Sequence, residues 1–162
     1  MKALSGRAVA ITESATLAVS AKARELAAAG VDMVDFGVGE PDFDTPAPIK
    51  RAAIEAIDRG FTKYTASSGI LDLRRAIAAK LLRDQGLQYD PSQIVVSNGG
   101  KHALFNAICA ICEEGDEVIL PSPYWVSYLE MIKLVGAKAV IVEGSERNRF
   151  LITAEQLQKA IT

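Results

Sequence analysis

The chain has 162 residues, 49% hydrophobic and 23% charged, which is the make-up of a packed globular chain of one ordinary domain or a little more. A formal net charge of −2 gives no electrostatic reason to expect nucleic acid or an anionic membrane as partner. No apolar run reaches the roughly 18 residues of a membrane helix, and Thr12, Glu13 and Ser14 interrupt the run a signal peptide would need, so a cytoplasmic home is the default.

Residues 1–13 lack sustained periodicity and read as an arm. Ser14 suits the cap of a helix reaching about Ala29, with Gly30 as its stop. Residues 31–36 form a short apolar stretch that predicts a strand. Residues 37–46, GVGEPDFDTP, are an extended, irregular connection in which Pro41 biases Glu40 away from helix. Thr45 followed by Pro46 predicts a helix start, with Ile49, Ala53 and Ile57 recurring on one face before Gly60. Residues 61–69, FTKYTASSG, form a loop. The next helix takes Leu73, Ile77 and Leu81 as its buried stripe and stops near Gly86.

Asp90 and Pro91 then lead into Ile94, Val95 and Val96, a β-branched run suited to a buried strand. That run breaks into Asn98, Gly99 and Gly100 and resumes at once as a helix over residues 101–112. After Gly115 come a strand over residues 117–120, the sequence PSPYW, a helix over residues 126–135 stopped by Gly136, and a strand over residues 139–142. Thr153 and Gln156 have capping-box spacing and open a last helix to Ile161. From residue 93 onward this alternation predicts an α/β fold: a parallel-rich sheet with helices on both faces and ligands at the carboxyl ends of its strands. Its last strand would present an unpaired edge, so the expectation is an incomplete domain, the front part of a longer protein.

The glycine turn is the feature most suggestive of chemistry. A turn with little or no side chain lets amides at a helix N-terminus approach an anion, where the helix dipole also favours negative charge. SNGGK is not a Walker A loop, because Val95 stands where that motif needs a glycine and His102 stands where it needs Ser or Thr. What remains suits a single phosphate group, or equally a tight turn with no ligand. Lys101 has the wrong sign for the dipole, which suggests an anion nearby; the alternative is a solvated lysine. His102, the only histidine, reads as a helix surface residue rather than a general base.

Trp125, among Pro121, Pro123 and Tyr124, either stacks on a flat ring at the sheet edge or caps the core. Gly39 and Glu40 sit in a loop whose backbone could touch a substrate, and the Tyr64 hydroxyl could reach a phosphate or a partner subunit; each alone is better explained as a plain loop residue. Cys109 and Cys112 have CxxC spacing but lie near the far end of their helix, with no second Cys or His pair. They read as two small hydrophobes in a core, and no metal site is expected.

In this order and at these separations, GVGEPDFDTP, KYTASSGILDLR, VVSNGGKHALF and GDEVILPSPYWVSY resemble the class-I pyridoxal-phosphate-dependent aminotransferases, nearest to the bacterial aspartate aminotransferase branch. The likeness runs from about Leu4 to the last residue. It implies the N-terminal part of a fold-type-I transferase: residues 1–45 as arm and small-domain segment, residues 46–162 as the first part of the large cofactor-binding domain. It also implies transamination between an amino acid, aspartate or another acidic one, and a 2-oxo acid, in a homodimer with pyridoxal 5′-phosphate.

By the resemblance, the amides of Gly99, Gly100 and Lys101 seat the phosphate and Trp125 stacks on the pyridine ring beside the substrate. Gly39 lies against the substrate α-carboxylate, Lys101 helps recognise an acidic side chain, and Tyr64 reaches the partner's cofactor phosphate. Relatives that also use prephenate carry a basic residue where this chain has Thr12, which makes prephenate a less expected substrate. The family's Schiff-base lysine falls beyond residue 162, and Lys101, at the phosphate end, is a poor substitute. No catalytic residue is therefore assigned, and the chain by itself is expected to be inactive. Other readings are a related carbon–sulfur lyase or synthase, a non-catalytic aminotransferase-like binding domain, and a gene fragment.

Overall fold

Two short runs rich in branched apolar residues pair side by side. β1 (Glu117–Ser122) and β2 (Lys138–Glu143) form a parallel two-stranded sheet, with Glu117 opposite Lys138, Leu120 opposite Ile141 and Ser122 opposite Glu143. A computed structural model describes residues 4–162 apart from positions 13, 35 and 38. The chain divides into two units, one of residues 1–39 with 104–162 and one of residues 40–103.

In the first unit a parallel pair needs a crossover, and α6 (Val126–Leu134) provides it. Met131 and Ile132 are the buried residues of α6, and Ile132 is 1% exposed. Ile132 forms the core with Leu120 and Ala137, and Val118, Tyr124, Tyr128 and Leu129 pack against that core. Glu117 and Lys138, opposite each other in register, pair at 2.6 Å, and the Glu117 carboxylate also accepts the Thr162 hydroxyl at 3.2 Å. Both contacts hold the Glu117 carboxyl below its usual value, the Lys138 hydrogen bond most strongly.

The predicted caps form. The Ser14 hydroxyl accepts the Leu17 amide and opens α2 (Ala15–Ala28). At the other end of the unit, Thr153 and Gln156 make a reciprocal capping box on α7 (Ala154–Ala160). Gln156 Nε2 donates as well to the Glu143 carbonyl at 2.9 Å, which ties α7 to the end of β2. The expected arm contains a short helix of its own, α1 (Gly6–Val9), capped by Ser5.

The second unit carries α3 (Ala47–Asp58) and α4 (Leu71–Gln85). Pro46, with φ −53° and ψ 137°, opens α3, and Gly86 in left-handed conformation closes α4. Arg74 donates to the Pro91 carbonyl at 3.1 Å, which fastens α4 to the turn at Pro91–Gln93. Asp90 caps that turn with Gln93 in a capping box.

Two predicted strands do not form among the described residues. Residues 31–34 and 36 join no ladder; position 35 of that stretch lies outside the described residues. Ile94 is buried and extended (φ −114°, ψ 127°), but the Val96 amide goes to the Ser68 carbonyl of the preceding loop. β-propensity makes a strand only where a neighbour completes the hydrogen bonds, so the predicted run of three strands reduces to two. The stripes on α3 and α4 are likewise less covered than their periodicity implies. Ile49, Ile57 and Leu73 are exposed, and Ile77 and Leu81 half-buried. Of the cysteines, only Cys112 packs against the core, while Cys109 is exposed.

Candidate functional site: a glycine turn opening a helix

The turn before α5 (Gly100–Ile111) is built almost entirely from backbone. Gly99 has φ +87°, a conformation that costs a side-chain-bearing residue strain, so a glycine belongs there. Its amide donates to the Ser97 carbonyl at 2.9 Å, and its carbonyl accepts the Ala103 amide at 3.1 Å, the first rung of the helix. The amides of Gly100, Lys101 and His102 therefore precede the ladder and have no acceptor within the helix. Gly99 offers no side-chain oxygen to cap them, unlike the serines before α1 and α2. No atom lies within 4 Å of where a Cβ on Gly100 would stand. First-turn amides at the positive end of a helix dipole, with room for close approach at Gly100, suit an anion the size of a phosphate group.

One contact in this turn is not foreseen from the sequence. The His102 ring reaches back so that Nδ1 accepts the Asn98 amide at 3.1 Å. His102 is the third residue of the helix, the position from which a Glu or Gln side chain closes a capping box. That position is the available clue, although histidine is not a usual member of the motif.

Lys101 is exposed on the first turn of α5. Tyr64 is fully exposed in the loop of the same unit as the glycine turn. Gly39 and Trp125 belong to the other unit. Gly39 is exposed, with no atom within 4 Å of a would-be Cβ. Trp125 follows β1 at its carboxyl end, after a cis Ser122–Pro123 peptide, and stands at the N-cap of α6. It is 51% exposed, while its neighbour Tyr124 packs on the core. The indole is therefore not buried in the core.

Of the described residues, none group as three or more His, Cys, Asp or Glu in an arrangement able to hold a metal ion, and no helix is long and apolar enough to cross a membrane. A groove of about 380 Å³ in the first unit runs between α2 and residues 33, 34, 36 and 37, lined by Val19, Ala23, Leu26, Met33, Val34 and Phe36. Lys22 at its rim is paired with Glu25 at 3.0 Å. With so few polar groups to fix an orientation, this groove is a poor small-ligand site.

Residues 31–162 match the family model described as aminotransferase class I and II. The aspartate aminotransferase of Bacillus subtilis is 54% identical over 159 residues, covering 98% of this chain and 40% of that protein. The aspartate/prephenate aminotransferase of Cereibacter sphaeroides is 52% identical over 162 residues, 100% of this chain and 40% of that protein. Among solved structures, the Thermus thermophilus aspartate aminotransferase with maleate superposes with a TM-score of 0.96 at 49% identity, over 100% of this chain and 42% of that one. The chain thus spans about 40% of the length of the curated relatives it matches.

Proposed function

The chain belongs to the class I and II aminotransferase family, and on that premise we propose that it serves amino-group transfer between an acidic amino acid, aspartate first, and a 2-oxo acid. The cofactor in this reading is pyridoxal 5′-phosphate, and the setting is a cytoplasmic homodimer. The observation that carries the proposal is the backbone-only turn at Gly99 and Gly100, whose uncrowded helix start fits one phosphate group. The names of the relatives, aspartate and aspartate/prephenate aminotransferase, supply the reaction class.

Each residue then has a task. The amides of Gly100 and Lys101 hold the phosphate and so fix one end of the cofactor; the Gly99 amide, which the resemblance puts with them, is instead turned to the Ser97 carbonyl at 2.9 Å. The Trp125 indole presses on the pyridine face and keeps water from it. Gly39, lacking a side chain, admits the substrate carboxylate to the backbone. Lys101 adds the positive charge that favours an acidic substrate side chain. Tyr64 donates its hydroxyl to the cofactor phosphate of the partner subunit. When bound, the cofactor supplies an electron sink for the carbon that loses its amino group.

Trp125 is the only tryptophan, so its emission reports directly on ring stacking. Titration with pyridoxal 5′-phosphate should quench that emission saturably, and inorganic phosphate should compete. In the complete protein, aspartate and a 2-oxo acid should exchange their amino group. Emission unchanged by the cofactor, together with no amino transfer from aspartate, would overturn the proposal.

A further inference from the structure

We propose that His102 is a positioning residue for the phosphate seat, acting through the peptide of Asn98 rather than by touching the cofactor. The inference rests on reading the glycine turn as that seat. A glycine pair gives close approach, but it also leaves the unbound turn many conformations, and ordering them on binding costs affinity. The sequence supplies a restraint from the helix side. His102 Nδ1 accepts the Asn98 amide at 3.1 Å and closes a ring from the third helix residue back across Gly99 and Gly100. The Gly99 amide is separately held by the Ser97 carbonyl at 2.9 Å. The two amides just before the helix are thus satisfied internally, which holds the turn from both sides.

An accepting Nδ1 places the ring hydrogen on Nε2. Asparagine carries its Oδ1 close to the place of Nδ1, so His102→Asn keeps the acceptor, whereas His102→Leu keeps bulk and loses it.

The test compares binding of pyridoxal 5′-phosphate with binding of pyridoxal, which lacks the phosphate, to the wild-type chain and both variants, alongside hydrogen exchange of the Asn98 amide. Loss of one such hydrogen bond should cut the preference for the phosphorylated form roughly fivefold in His102→Leu. Pyridoxal affinity should stay unchanged, and His102→Asn should restore most of the loss. The Asn98 amide should exchange slowly in the wild type and His102→Asn, and fast in His102→Leu. A wild-type preference retained by His102→Leu, or His102→Asn binding as weakly as His102→Leu, would overturn the inference while leaving the seat intact. A wild-type chain that protects the Asn98 amide yet shows no preference for the phosphorylated form would remove the seat itself, and the positioning role with it.

Discussion

The carboxylate of Glu130 on α6 accepts the backbone amide of Thr12 at 3.0 Å, joining two residues 118 positions apart. The same side chain pairs with Lys133 one turn on at 2.8 Å. The Lys133 hydrogen bond, and after it the Thr12 amide, hold the Glu130 carboxyl below its usual value. A carboxyl depressed on folding stabilises the native state above its unfolded value, and that contribution disappears as pH falls through the folded value. Acidification should therefore release the arm at Thr12 before the sheet unfolds. A lower protection of the Thr12 amide, relative to an unstructured amide at the same pH, on the acid side, and at all pH values in Glu130→Ala, would be the signature. Glu130→Gln keeps an acceptor for Thr12 and should flatten the pH dependence.

Gly69 should resist substitution. It has φ +93°, and a Cβ there would lie 2.6 Å from a Val96 methyl carbon. Strain and collision act together in Gly69→Ala, so the loss should reach about 2 kcal/mol or more, read as the urea midpoint of the unit of residues 40–103.

Ile132→Ala removes the most buried large side chain of the first unit and should cost about 2–5 kcal/mol. Cys109→Ala, on an exposed position, should stay within about 0.5 kcal/mol. Equal effects from the two variants would mean that the core is not where Leu120, Ile132 and Ala137 place it.

Gly100→Asp separates binding from stability. A Cβ there meets open space, and a carboxylate at a helix start is favoured by the dipole by roughly 0.3–1 kcal/mol. Thermal stability should hold or rise, while affinity for pyridoxal 5′-phosphate falls, because a fixed negative charge occupies the region of the phosphate. Calorimetry on the same sample reads both.

Local chemistry carried most of what the sequence made legible. Ser14 and Thr153 announced their helices because a hydroxyl before a helix satisfies amides that nothing else can reach. The apolar runs of β1 and β2 announced a parallel pair because the crossover α6 lay between them. Ile94–Val96 looked no different in composition, yet it pairs with a loop carbonyl of Ser68, and only the presence or absence of a neighbouring strand distinguishes the two outcomes. Of the candidate site, Gly99 and Gly100 were readable because missing side chains leave a plain mark. The His102 contact was not, since it depends on a ring rotamer that no spacing encodes.

Residues 4–39 share a unit with residues 104–162, and the intervening segment forms a unit of its own. On a ribosome, which delivers the N-terminus first, helix α1 and Thr12 must wait for α6 to be synthesised before they can meet it. Loop closure over so long a stretch is slow, whereas contacts inside the middle segment, such as Arg74 to the Pro91 carbonyl, close over a short span. For the segment around Thr12, the order of folding is thus the reverse of the order of synthesis.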